Sequence, residues 1–397
     1  MNHLKTRWFR LILGVVTLFF AGIIYAWTNI QTPFIEMGFS KTELSLNFTI
    51  TMCFFCISGF VSGLLAKKLS PQIRLIASAI LLTGGFALTS TITADSPHWL
   101  LYLGYGVMAG TGIGVVYNVV IANTNAWFPD KAGISSGALM MGFGFTTLLL
   151  GNAMTKLFEV ESIGWEKTYL GFGVAIGVVL LISSFFIKAP SSDLAFPTQK
   201  KKANNTSSDY TTSEMAKTLT FWKLFAFFIL FASVGSTAIA GATEQFANLG
   251  LIENASILAG FLTICNGIGR IVSGIFFDMF GLRKTQFLTS GIVILATGLT
   301  CIGYATEAAV IGAIGLMLCG FSYGFSPTAS SAFVGAFFGK KHFGLNFSTL
   351  NLILIPASFV PTLFKKLNLE PVVSFGILVG FSVLGLILNL SIKQKDK

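Results

Sequence analysis

Apolar residues in this chain gather into long runs separated by short polar breaks. Runs of about 20 residues, enough to cross the hydrocarbon of a bilayer, recur about twelve times. The pattern predicts helices over 9–30, 43–66, 73–94, 98–126, 132–156 and 168–188 in the first part of the chain. It predicts six more over 220–245, 253–278, 284–305, 307–337, 342–364 and 370–392. Backbone polar groups have no water to bond in lipid, so a run of this length reads as a helix. The expected fold class is an all-α membrane protein with twelve transmembrane helices.

One long polar stretch, PSSDLAFPTQKKKANNTSSDYTTSEMAKT, interrupts the series. It divides the chain into an N-terminal six-helix half (1–188), a linker (189–219) and a C-terminal six-helix half (220–397). The halves echo one another at an offset of 211 residues, which carries Phe9 onto Thr220 and Gly63 in SGLLAKKLSPQIR onto Gly274 in SGIFFDMFGLRK. A six-plus-six duplication is the architecture that alternating access uses.

Composition strengthens this picture. The 397 residues are 53% hydrophobic and 11% charged, against roughly 25% charged in soluble proteins. Forty Phe and 42 Gly suit lipid-facing surfaces and close helix contacts. Lys and Arg number 26 against 16 Asp and Glu, a net charge of +10. With both termini in the cytoplasm, 20 of those 26 cations fall on the cytoplasmic side, including Arg74 and the linker's Lys200, Lys201 and Lys202. The positive charge is therefore a topology signal for a multi-pass protein of the cell (plasma or inner) membrane, in contact with lipid, and implies no nucleic-acid partner. Lys5, Arg7 and Arg10 precede an apolar run without a small-residue cleavage site, so that run is expected to be the first span. The five cysteines lie inside apolar runs; Cys53 and Cys56, a C-x-x-C in mid-helix, read as packing residues. No metal, cofactor or catalytic constellation is apparent, and His3, His98 and His342 lie at ends or loops, so no enzyme is expected.

Arg270 is the residue that points to chemistry. It stands eight residues before Asp278, roughly 12 Å inside the helix end at about 1.5 Å per residue. A charge at that depth is costly and marks a functional site. Thr263, Asn266, Arg270 and Ser273 follow helical spacing and form one polar stripe, expected to face a central cavity. A guanidinium there suits a carboxylate, held by two parallel hydrogen bonds. Tyr25, Tyr117 and Asn118 are polar groups at mid-helix depth and are candidate substrate contacts. Gly106, Gly110 and Gly114 recur every four residues, a face for close helix packing.

The run Gly110-x-Gly112-x-Gly114-x-x-Tyr117 and the following WFPDKAGISSGALMMGFGF resemble the oxalate:formate antiporter family of the major facilitator superfamily, which is related to the monocarboxylate transporters. YAWT from Tyr25, EMAKTLTFWKLF, NGIGR at Asn266–Arg270 and FGLNFSTLN at Phe343–Asn351 extend the likeness. The resemblance implies that Arg270 binds substrate and that Tyr25, Tyr117 and Tyr323 line the site. It also implies two departures. Where the oxalate carrier has a lysine in the eleventh helix, the matching stretch here is Ser348-Thr349-Leu350-Asn351, and where animal monocarboxylate carriers have a proton-coupling aspartate, Asn266 stands. Gly274, Asp278, Gly281, Arg283 and Lys284 resemble the superfamily's gating loop, while Lys67 replaces its acid in the first half.

The expected function is secondary transport of a small monocarboxylate (lactate, pyruvate or formate). It would be bound by Arg270 with Tyr25, Tyr117, Asn118, Asn266, Tyr323 and Asn351, and gated through Gly274, Asp278 and Arg283. Alternatives are an oxalate-type dicarboxylate exchanger, or a carrier of an unrelated solute such as a sugar or drug. Anion exchange fits the amide at position 266; proton symport remains open through Glu244, on the premise that burial raises its pKa. The carrier is expected to act as a monomer.

Overall fold

The computed structural model describes residues 2–191 and 209–392; most of the expected linker, with Lys200, Lys201 and Lys202, lies outside them. Among the described residues eleven helical segments are long and apolar enough to cross a membrane. They are α1 (Thr6–Glu36), α2 (Lys41–Leu65), α3 (Pro71–Thr89), α4 (Trp99–Asn125), α5 (Ala132–Phe158) and α6 (Gly164–Phe186). After the linker come α7 (Leu219–Ala240), α8 (Ile252–Ala305), α9 (Ala309–Phe338), α10 (Phe343–Lys366) and α11 (Pro371–Ser391). The described residues contain no strand.

The 54 residues of α8 are two crossings, not one. Gly281 has φ 76° and ψ −177°, a conformation that only glycine adopts without strain. The chain turns there, each limb is long enough for one crossing, and the predicted twelve helices are all present.

Local chemistry sets the other boundaries. The Ser40 hydroxyl accepts from the Glu43 N–H at 3.2 Å and the Glu43 carboxylate accepts from the Ser40 N–H at 2.8 Å, a capping box that opens α2. Ser70 caps α3, with Pro71 in the first helical position, where a missing N–H costs nothing.

The described chain forms two compact units, one of Met1–Asp130 with Ala138–Lys200 and the other of Lys131–Gly137 with Lys201–Lys397. The opening stretch of α5 thus clusters with the second unit.

In the first unit, α4 lies against α2 along the predicted glycine face. A Cβ on Gly110 would meet the Thr51 carbonyl oxygen at 2.8 Å, and one on Gly114 the Phe55 carbonyl oxygen at 2.1 Å. The start of α1 is tied to the residues before α5 by a bidentate pair, Arg7 Nη1 and Nη2 donating to Asp130 at 2.7 and 3.2 Å.

Contrary to the continuous helix expected over 9–30, α1 tightens into a 3-10 turn at Gly22–Ala26. Its neighbours cause this. The Thr146 hydroxyl donates to the Phe19 carbonyl, and the Tyr105 hydroxyl donates to the Ile23 carbonyl at 3.0 Å. These carbonyls are drawn from the α-helical ladder, and the Trp27 N–H turns to Ile24 instead.

In the second unit, α8 and α9 touch backbone to backbone. A Cβ on Gly269 would lie 2.1 Å from the Phe321 carbonyl oxygen, and one on Gly324 would lie 2.1 Å from that of Asn266.

Candidate functional site

The Arg270 side chain is 2% exposed, and its Nε donates to Asn266 Oδ1, one turn earlier, at 3.3 Å. Burying a guanidinium in a low-dielectric interior costs several kcal/mol unless polar groups receive its five N–H donors; Asn266 takes one. Further along the same stripe, Ser273 is fully buried and its Oγ has no hydrogen-bond partner among the described residues. Of the stripe read from the sequence, Asn266, Arg270 and Ser273 are buried, and Thr263, at its far end, is half-buried.

Tyr323 precedes Gly324, whose close approach sets α9 against the Asn266–Arg270 turn. Its ring fills a notch on α7, where a Cβ on Gly235 would come within 2.2 Å of it, and Ala232 and Ala357 complete the cluster. Asn351, 6% exposed, ends the helical stretch Phe343–Asn351; α10 breaks there and resumes at Leu354.

The Asp278 carboxylate accepts from the N–H groups of Gly133 and Ile134 at 3.0 and 2.7 Å. It therefore caps the start of α5, where unpaired N–H groups and the helix dipole favour a negative charge. Gly274 makes room for this contact: a Cβ there would lie 2.1 Å from the Gly133 carbonyl oxygen. One turn on, a Cβ on Gly137 would lie 2.7 Å from the Arg270 carbonyl oxygen. The stretch Lys131–Gly137 so runs along α8 from Asp278 to Arg270. Arg283 does not join in; it is exposed, with its guanidinium 5.9 Å from the Phe287 ring centroid.

In the first unit, Tyr25 sits on the 3-10 turn, and its ring meets Phe143 edge-on at 5.5 Å. Tyr117 lies 5.0 Å from the same Phe143 ring and 5.2 Å from Phe55. The two tyrosines are thus brought together around one phenylalanine, which sequence reasoning passed over although it lies in the MMGFGF stretch. Asn118, 2% exposed, accepts from the Ser62 hydroxyl at 3.2 Å.

Ser62 in turn accepts from Arg74 Nη1 at 3.1 Å, and Arg74 is only 6% exposed. The sequence counted Arg74 among the cytoplasmic loop cations. Its side chain instead folds back onto α2, because side chains on a helix lean toward the helix start.

Glu244 also departs from expectation. Its side chain is 64% exposed and pairs with Lys365 at 3.1 Å, so the burial on which a role in proton coupling was premised is missing.

The sequence profile of the Major Facilitator Superfamily matches residues 11–360. The oxalate:formate antiporter of Oxalobacter formigenes is 27% identical over 348 residues, covering 86% of this chain and 81% of that protein. The MFS-type transporter YhjX of Escherichia coli is 27% identical over 365 residues, covering 88% and 85%. The solved structure of the proton:xylose symporter XylE superimposes with a TM-score of 0.73 over 100% of this chain and 97% of that one, at 12% identity, a likeness of fold alone.

Proposed function

Because the chain belongs to the Major Facilitator Superfamily and is a membrane transporter, we propose that it exchanges small organic carboxylates, with monocarboxylates such as lactate, pyruvate or formate preferred. The observation that carries this reading is the buried Arg270 guanidinium on α8, set beside an amide. A carboxylate fits a guanidinium through paired charge-assisted bonds, which are roughly twice as strong as neutral ones. By the family resemblance and the sequence reading, Asn266, Tyr323, Asn351, Tyr25, Tyr117 and Asn118 would supply the remaining contacts. Alternating access of the two six-helix halves would move the anion across. Asp278, seated on α5 in the space Gly274 leaves, would break and remake its two bonds as the carrier cycles. Arg283 would contribute a loop charge.

Oxalate is the competing substrate, by similarity to the antiporter. Ser348–Asn351 brings no cation, which favours one substrate charge over two. Exchange is favoured over proton symport, since position 266 is an amide and Glu244 is exposed. The carrier would sit in the cell membrane with both termini cytoplasmic.

The test is counterflow in proteoliposomes with labelled lactate, with pyruvate, formate and oxalate as competitors. Arg270→Gln is expected to abolish exchange while the protein keeps its size-exclusion profile and melting temperature. Wild-type rates in that variant would sink the site assignment.

A further inference from the structure

The opening of α5 belongs to both units. Lys131–Gly137 clusters with the second unit, and the chain from Ala138 onward clusters with the first. Yet the α-helix runs unbroken from Ala132 to Thr146. A helix moves as one rigid element over so few turns, so a movement of the first unit carries Lys131–Gly137 with it. Whatever that stretch holds on the second unit must then let go.

The charged fastening is Asp278, which takes the Gly133 and Ile134 N–H groups on α8. A second fastening reaches a different helix. The Ser136 and Ser331 hydroxyls are 2.9 Å apart, one donating to the other, and Ser331 lies on α9. Ser136 is 1% exposed and Ser331 2%, so water does not compete for this bond while the stretch is seated. The pair stands beside Gly137, whose close approach to the Arg270 carbonyl brings the stretch down to the depth of the buried guanidinium. Uncharged hydroxyls suit a fastening that opens: parted and wetted, each bonds to water, and no uncompensated charge is left behind.

We propose that Lys131–Gly137 is a lid over α8 from Asp278 to Arg270, and that the Ser136–Ser331 pair is the bolt that fastens it to α9 and parts in every transport cycle. The proposal rests on the alternating-access reading and extends it from Asp278 to a second, uncharged contact.

The test combines Ser136→Cys with Ser331→Cys in a carrier freed of its five native cysteines. Oxygens 2.9 Å apart place the two Cβ atoms near the spacing that a disulfide needs, so oxidation should join the thiols. Counterflow is measured in proteoliposomes with whichever of labelled lactate, pyruvate, formate and oxalate exchanges fastest. Exchange should be lost on oxidation and return on reduction, and the oxidant should slow neither single variant. A permanent packing contact predicts full exchange through the disulfide. That result, or a pair that does not cross-link, overturns the bolt. Ser331→Cys alone gives a readout that needs no substrate and serves if the double variant does not fold. Its thiol is shut away beneath the lid, and adding Asp278→Asn, which weakens the other fastening, should speed its reaction with a maleimide about tenfold, the scale of one charge-assisted bond. Equal rates in the two backgrounds overturn the lid. If none of the four carboxylates exchanges, the substrate reading fails, and the labelling still decides the lid.

Discussion

Asn266 and Arg270 share one turn of α8, and the 3.3 Å between Oδ1 and Nε is long for a bond from a charged donor. The amide steadies the guanidinium without cancelling its charge. A carboxylate in the same place would cancel it, since an opposite charge beside the guanidinium stays ionised. Asn266→Asp is therefore expected to cut carboxylate exchange at neutral pH by at least about tenfold, roughly the 1.4 kcal/mol of a modest charge-pair competition. Asn266→Ala, which adds no charge, should retain more activity. Counterflow rates of the two variants measured side by side decide the point, and equal rates would mean that the guanidinium's charge is not what the substrate meets. Arg270 was legible in the sequence because a lone cation deep in an apolar run has few explanations. Arg74 was not, because a cation near a helix start reads as a loop residue until its fold back onto Ser62 is seen.

At the scale of the element, the turn inside α8 depends on one residue. Gly281→Ala forces a side chain into a backbone region that costs on the order of 1–3 kcal/mol. The midpoint of thermal unfolding in detergent should fall by several degrees, as expected for a loss of that size. An unchanged midpoint would mean the turn can form elsewhere in the GLRK stretch. The helices themselves were readable because their length and apolar content are properties of contiguous sequence. The 3-10 turn of α1 was hidden because its causes are hydroxyls 127 and 82 residues away in sequence, those of Thr146 and Tyr105. Nothing in the GIIYA stretch itself announces it. The glycine face of α4 lay between these cases: its spacing showed that some helix would come close, but only the structure identifies α2 as that helix.

For the whole molecule, the proposed orientation follows from where the cations fall, since positively charged loops are retained on the cytoplasmic side. In a carrier freed of its five native cysteines, a cysteine at Glu161 should react with an impermeant maleimide on intact cells, and one at Ser191 should react only after the cells are opened. The reverse pattern would invert the topology. The two-half organisation was visible in the 211-residue echo. The association of Lys131–Gly137 with the second unit was not, because small residues at helical spacing do not name their partner. The backbone contacts made by glycine also bear on how this sequence can drift over evolutionary time. At Gly114, Gly269, Gly274 and Gly324 a carbonyl oxygen lies 2.1 Å from where a first side-chain carbon would stand, whereas Gly171, Gly260, Gly291 and Gly376 have nothing within 4 Å. Lineages that diverge from this chain should exchange the second set freely for alanine or larger residues and keep the first set, so that the glycines surviving in distant descendants would trace where its helices touch.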